Sequence, residues 1–282
     1  MEETATFWHA PDLDDLELLK ATYVSHAFSR HTHGGFVIGM IEKGIEVFDY
    51  RGQTHFAAPG DVVVINPDMV HTGHSGEADG WTYRMFYPSI AMLRQVADAI
   101  GDRSGDMPFF KQAVVRDPEL ALQIRRLHDL LEFSPDRLER ASSFYDVMGR
   151  LILRHASNAP AMKKMGSERR AVQKAIALIG SDLAETITLE NLSRQVGLSP
   201  FYLSRLVQRH TGLPPHAYRK QQRIRQARRL LRAQMPIAQV AMETGFADQS
   251  HLTRHFKRMV GVTPGQYLLN SKNVQDKSTR IY

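Results

Sequence analysis

The chain has 282 residues, 43% of them hydrophobic and 23% charged, a globular composition and a length beyond one typical domain of about 100 to 200 residues. No apolar run approaches the roughly 18 to 20 residues that span a bilayer, and the absence of cysteine excludes a disulfide framework, a thiolate metal site and a cysteine nucleophile. The formal net charge of +6 hides a division, because residues 1–160 carry 15 Lys and Arg against 23 Asp and Glu, a net of −8, whereas residues 161–282 carry 21 against 7, a net of +14. Such asymmetry points to one domain that faces a polyanion and one that does not.

The acidic start, Met1-Glu2-Glu3-Thr4, has neither the basic nor the apolar segment of a secretory signal, so the expected location is the cytoplasm, with no membrane partner. Residues 20–87 read as short strands. Phe36-Val37-Ile38 is apolar, Val62-Val63-Val64-Ile65 is β-branched throughout, and Trp81-Thr82-Tyr83-Arg84-Met85-Phe86-Tyr87 is rich in aromatics. Turn signals at Gly34-Gly35, Gly44, Arg51-Gly52, Pro59-Gly60 and Asn66-Pro67 predict a small antiparallel barrel or sandwich. Period-two alternation puts Trp81, Tyr83 and Met85 on one face and Thr82, Arg84 and Phe86 on the other, and one set lines the barrel.

After Pro88 the periodicity becomes helical. Leu120, Ile124, Leu127 and Leu131 form one stripe, and Leu138, Ala141, Tyr145, Met148 and Ile152 form another. This helix pair has a seam that closes onto the barrel or onto a second copy. The second stripe is the candidate dimerisation surface, favoured by the character of the domain that follows. Residues 161–167, at the change of charge, are the expected linker between domains 1–160 and 168–270, and the polar tail 271–282 is expected to be disordered.

From residue 187 the chain repeats itself. Leu192 and Gly197 are matched by Val240 and Gly245 at an offset of 48, and Leu203, Arg205, Gly212, Pro215 and Tyr218 by Leu252, Arg254, Gly261, Pro264 and Tyr267 at an offset of 49. Each copy reads as a short helix, a glycine turn and a longer helix, the helix-turn-helix pattern. In the first copy Thr188 caps, Leu189, Leu192 and Val196 face inward, Gly197 makes the turn, and Ser199-Pro200 opens the second helix. Leu203, Leu206 and Val207 then point to the core, which leaves Phe201, Ser204, Arg205 and Gln208 opposite.

In the second copy Pro236 opens a helix, Gly245-Phe246 turns, and Asp248 caps a helix with Leu252 and Phe256 inward. Its outward or near-outward set is Gln249, Ser250, His251, Thr253, Arg254 and Lys257. Gln and Arg carry the bidentate geometry that discriminates base edges in the major groove. Between the copies, Pro215 to about Ala233 predicts a helix bearing Arg219, Lys220, Arg223, Arg225, Arg228, Arg229 and Arg232. A helix of that length, about 28 Å, approaches the roughly 34 Å between successive major grooves, so its ends can serve two adjacent grooves while its cations neutralise phosphates.

Residues 168 to 270 resemble the DNA-binding module of the AraC/XylS family of transcriptional regulators. The resemblance is strongest over Gly245-Phe246-Ala247-Asp248-Gln249-Ser250-His251-Leu252-Thr253-Arg254-His255-Phe256-Lys257-Arg258 and Gly261-Val262-Thr263-Pro264-Gly265-Gln266-Tyr267. It implies seven helices, with base-contacting candidates Phe201, Ser204 and Arg205 in the first reading helix and Gln249, Ser250, His251 and Arg254 in the second.

The front half resembles the cupin-type effector domain of that family, through His31-Thr32-His33 and Gly60-Asp61-Val62-Val63-Val64-Ile65-Asn66-Pro67-Asp68-Met69-Val70-His71. In metal cupins, which this part resembles, a spaced His pair, a carboxylate and a final His converge on one ion, and the carboxylate position here, near Val37 or Ile38, is apolar. The expectation is no cofactor, with His31, His33 and His71 as polar contacts or satisfied core histidines. A three-His site for zinc, nickel or iron is the chemical alternative. With Trp81, Tyr83 and Met85 these histidines are the candidate contacts for a small polar or aromatic effector.

The fold class is therefore α+β: an N-terminal cupin-like antiparallel β-barrel with a helix pair, and a C-terminal all-α domain with two helix-turn-helix motifs. The expected function is a sequence-specific regulator of transcription with no enzymatic activity. Its expected partners are double-stranded DNA, a small-molecule effector, a second copy of the chain and, for an activator, RNA polymerase. The competing classes are a metal-dependent cupin enzyme tethered to DNA by its basic half, and an architectural DNA binder with no effector.

Overall fold

A computed structural model describes residues 2–101, 106–162 and 168–269. Most of the expected linker and the whole tail 271–282 lie outside the described residues. The chain divides into two compact units, Met1–Gly166 with Ser199–Tyr202, and Ser167–Leu198 with Leu203–Tyr282.

The first unit carries β1 (Thr4–Ala10), β2 (Leu16–Tyr23), β3 (Phe28–His31), β4 (Val37–Lys43), β5 (Glu46–Tyr50), β6 (Gln53–Ala57), β7 (Val62–Ile65), β8 (His71–Ser75), β9 (Trp81–Tyr87), α1 (Ile90–Ile100), β10 (Val114–Val115), α2 (Pro118–Phe133) and α3 (Arg137–His155). One sheet runs β1-β2-β9-β4-β7-β10 and the other β3-β8-β5-β6, with antiparallel pairing throughout. Both contribute to one core, since Leu19, Val37, Ile41, Trp81, Tyr83 and Met85 of the first sheet cluster with Phe48 and Tyr50 of the second. Trp81, Tyr83 and Met85 are thus the inward set of β9.

The other face of β9 is buried as well, because α2 lies against it. There Arg84 Nε donates to Glu42 Oε1 at 2.8 Å, its Nη1 meets Asp129 Oδ1 at 2.8 Å and His128 Nδ1 at 3.2 Å, and Phe86 packs edge-on to His128. A guanidinium this enclosed is tolerated because carboxylates and an imidazole take its donors.

Asp117 and Asp136 cap α2 and α3, accepting from Leu120 N and Leu138 N at 3.0 Å each. α3 packs on α2 and α1. Here one expectation is corrected: Leu138, Ala141, Met148 and Ile152 are all buried within the single chain and Tyr145 is half-buried. The stripe read as a dimer surface is spent internally, because neighbouring apolar helix faces cover one another before any partner arrives.

The second unit holds α4 (Arg169–Ser181), α5 (Leu189–Val196), α6 (Pro200–Thr211, whose first residues group with the first unit), α7 (Pro215–Arg232), α8 (Ile237–Glu243) and α9 (Gln249–Val260), and residues 264–269 are helical. The repeat is realised as two helix-turn-helix units, α5–α6 and α8–α9, with α7 between them. Thr188 caps α5 by accepting from Asn191 N, and Gly197 ends it with φ +70. The core around the second copy joins Ile224, Ala227 and Leu231 of α7 to Val240, Ala241, Phe246, Leu252 and Phe256. Among the described residues no helix is long and apolar enough to cross a membrane.

Candidate functional site

α9 is placed by its own cap and core. Asp248 Oδ1 accepts from His251 N at 2.7 Å, and Leu252 and Phe256 are fully buried, which turns the opposite face to solvent. Gln249, Ser250, Arg254 and Lys257 are exposed, while His251 and Thr253 are half-buried. Burial, followed by the cations of Arg254 and Lys220, holds His251 below the ordinary histidine range. At neutral pH it is therefore an uncharged donor and acceptor.

The corresponding face of α6 carries Phe201, Ser204, Arg205 and Gln208. Arg205 is half-buried and Gln208 exposed, but Phe201 is only 4% exposed and Ser204 8%. The phenyl ring behaves as an apolar group and is withdrawn from water, and Ser204, three residues on, lies on the same side of the helix.

The basic helix α7 also sorts into two groups. Arg219 is buried and donates to the carbonyl oxygens of Asp182 and Glu185, and Arg223 Nε donates to Leu183 O at 2.9 Å with its guanidinium over the Phe246 ring. Both are structural, a correction to their reading as phosphate contacts. Arg225, Arg228, Arg229 and Arg232 are exposed and line one concavity of about 500 Å³, and Arg232 Nε donates to Tyr267 Oη at 2.9 Å.

In the first unit, β3 and β8 place His31 directly opposite His71 in register, and Asp68 N donates to His33 O at 2.8 Å. A ring nitrogen of each of the three histidines lies within 4.8 Å of the others. His31 Nδ1 is 2.8 Å from Ser29 O and His71 Nδ1 is 3.0 Å from Met69 O. A carbonyl can only accept, so both rings donate from Nδ1. Burial, followed by His71 and His31, lowers His33 to about 4, and burial lowers His71.

The expected effector contacts are therefore assembled in two groups of one barrel, the histidine trio and the inward set of β9. Tyr87 lies 5.2 Å from His33 ring to ring, and Trp81 packs with Tyr83 and Tyr23 at 5.9 and 5.5 Å. Sequence reading missed Glu46, on β5 of the facing sheet. Its carboxyl is pushed up to about 7 by burial, and both its Oε2 and Trp81 Nε1 are buried with no hydrogen-bond partner among the described residues. An unmet donor or acceptor costs about 1 to 3 kcal/mol, a cost that a ligand offering the complementary groups removes. The signal for Glu46 was its alternation with Phe48 and Tyr50, which puts it on their inward face. Val37 and Ile38 are buried and apolar.

Two family comparisons cover most of the chain. Residues 15–148 match the family described as the AraC-like ligand binding domain, and residues 192–270 match a helix-turn-helix domain. The HTH-type transcriptional regulator YbfI of Bacillus subtilis is 32% identical over 252 residues, which cover 89% of this chain and 90% of that protein. The arabinose operon regulatory proteins of Salmonella typhimurium and Escherichia coli are each 25% identical, covering 83% of this chain and 83% and 80% of their own lengths.

Proposed function

We propose that this chain, which belongs to the AraC family of transcriptional regulators, reads a duplicated DNA site under the control of a small molecule held in its N-terminal barrel. The observation that carries the DNA half is α9, a capped and core-packed helix that turns Gln249, Ser250, Arg254 and Lys257 outward in the half of the chain with net charge +14. Gln249 and Arg254 have the geometry for base edges, Ser250 and neutral His251 accept or donate, and Thr253 and Lys257 flank them towards phosphate. In the first copy Arg205 and Gln208 take this role. α7, at 18 residues or about 27 Å, spaces the two copies, and Arg225, Arg228, Arg229 and Arg232 neutralise the backbone.

The effector half is supported by the unmet Glu46 and Trp81 atoms in an interior walled by Tyr23, Tyr83, Met85 and Tyr87, with His31, His33 and His71 as its polar contacts. A ligand there alters DNA occupancy only through unequal affinity for two states of the protein. The finer parts of the reading are a homodimer formed by a surface other than the α3 stripe, a cytoplasmic location, and RNA polymerase as partner if the chain activates. Family membership supports them. The relatives' descriptions as regulators also favour a non-enzymatic role over the tethered-enzyme alternative.

Selection of sites from random duplex DNA tests the proposal, followed by binding measurements at physiological salt. The expected product is a short duplicated site, and Arg254→Ala relaxes the preference at one base position at a cost of about 1 to 3 kcal/mol. No preference over random DNA refutes the reading, and an equal loss on all sequences moves Arg254 from base to phosphate.

A further inference from the structure

We propose that the small molecule held in the N-terminal barrel is an organic cation, an amine whose ammonium group sits against the Glu46 carboxyl within the rings of Tyr23, Phe28, Trp81 and Tyr83. The inference rests on the reading of the barrel as an effector site and names the chemical class of that effector. Glu46 and Phe28 meet at one point of the second sheet: a Cβ added to Gly73 of β8 would stand 3.3 Å from Glu46 Oε1 and 3.3 Å from Phe28 Cδ2. From Phe28 the rings continue to the first sheet. Tyr23 is edge-on to Phe28 at 5.4 Å between centroids and lies 5.5 Å from Trp81 and 6.0 Å from Tyr83, while Trp81 and Tyr83 stack at 5.9 Å. Glu46, Trp81 and Tyr83 are buried, whereas Tyr23 and Phe28 are half-buried, so the cage reaches solvent on the side of the latter two.

The chemistry of this enclosure favours a cation. Its walls are π faces, whose quadrupole attracts an ammonium most strongly once water is excluded. Glu46 Oε2 is buried with no hydrogen-bond partner among the described residues, and a carboxylate so enclosed is stable only beside an opposite charge. The buried guanidinium of the same barrel does not supply that charge, because Arg84 lies on the other face of β9 with Glu42 and Asp129. An anionic ligand would meet a like charge and the negative faces of the rings. With its carboxyl raised to about 7 by burial, Glu46 gives its proton to solvent as an ammonium enters, and the resulting carboxylate pairs with the cation. The phenols of Tyr23, Tyr83 and Tyr87 are pushed up, by burial first, and keep their protons. Burial lowers His33, 5.2 Å from Tyr87 ring to ring, to about 4, so it is uncharged near neutral pH. Trp81 Nε1, the other unmet atom, donates to an oxygen of the same ligand, which narrows the class to amines bearing a hydroxyl or a carbonyl.

The test titrates the full chain calorimetrically with ethanolamine, choline and acetylcholine, each beside its neutral isostere in which carbon replaces the ammonium nitrogen. Two buffers of different ionisation enthalpy count the protons. The expected result is that at least one amine binds, exceeds its isostere by at least about tenfold, and releases about one proton at about pH 6 and none at about pH 9. Glu46→Gln keeps the shape without the charge and should lose both the preference for the amine and the proton release, with the far-UV spectrum unchanged. Asp49→Asn, exposed on the same strand, should leave both intact. Isosteres that bind as well as their amines overturn the proposal, as do amine binding that survives Glu46→Gln and failure of every amine to bind. In those cases a thermal midpoint raised by glucose or benzoate keeps the barrel as an effector site of another class, and site selection without ligand reports separately on the DNA-binding reading.

Discussion

Gly197 and Gly245 occupy equivalent places in the two repeats and share nearly one backbone conformation, φ +70 and φ +72. Alanine at either position meets the left-handed penalty of about 1 to 2 kcal/mol. Their surroundings differ. A Cβ on Gly197 meets nothing within 4 Å, whereas one on Gly245 stands 2.3 Å from Leu183 O and 2.7 Å from Arg223 Nη2. Neither neighbour yields freely, because Arg223 Nε donates to that same carbonyl at 2.9 Å. Displacing them forfeits a charged hydrogen bond of about 1.5 to 3 kcal/mol in addition to the backbone penalty. Gly245→Ala should therefore cost about 2.5 to 5 kcal/mol and Gly197→Ala about 1 to 2, against a typical domain stability of about 5 to 15 kcal/mol. Urea unfolding followed by far-UV circular dichroism measures the difference, with DNA affinity as the functional readout. Trp8 and Trp81 both lie in the first unit, so tryptophan fluorescence should report an unchanged transition there. Equal losses in the two variants would refute the argument that Leu183 and Arg223 make the second turn intolerant.

Two arginines on α7 should separate by phenotype: Arg225→Ala is expected to keep stability, weaken binding to all DNA sequences alike and lower the salt slope by about 1. Arg219→Ala should instead lose about 1.5 to 3 kcal/mol of stability, since the Asp182 and Glu185 carbonyls lose a charged donor; a normal unfolding curve for it would contradict the assignment. Glu46 ionises near pH 4.5 in the unfolded chain but near 7 when buried, so the folded state holds the extra proton and wild-type stability falls as pH rises through that window. Glu46→Gln, neutral throughout, should gain on the wild type by about 2 to 3 kcal/mol between pH 4.5 and 7.5 in denaturation curves; a difference independent of pH would show that the carboxylate is not desolvated.

The local parts of this protein were legible in its sequence because each depends on residues a few positions apart. Thr188 and Asp248 cap the helices they precede, the repeat folds as two helix-turn-helix units, and α7 runs Pro215–Arg232 with its C-cap at Ala233. Alternation on β9 separated Trp81, Tyr83 and Met85 from Thr82, Arg84 and Phe86, and the packed sheets turned the first set inward. Capping, helical periodicity and strand alternation are set by backbone geometry, which the residue types themselves reveal. Partners distant in the chain were decided by the tertiary structure alone. The α3 stripe met α2 and α1, Arg219 was spent on carbonyls, and Glu46 was enclosed with Oε2 unmet among the described residues. An apolar stripe or a lone charge states what it needs, burial or a partner, and only the packed chain determines which group supplies it or whether any does.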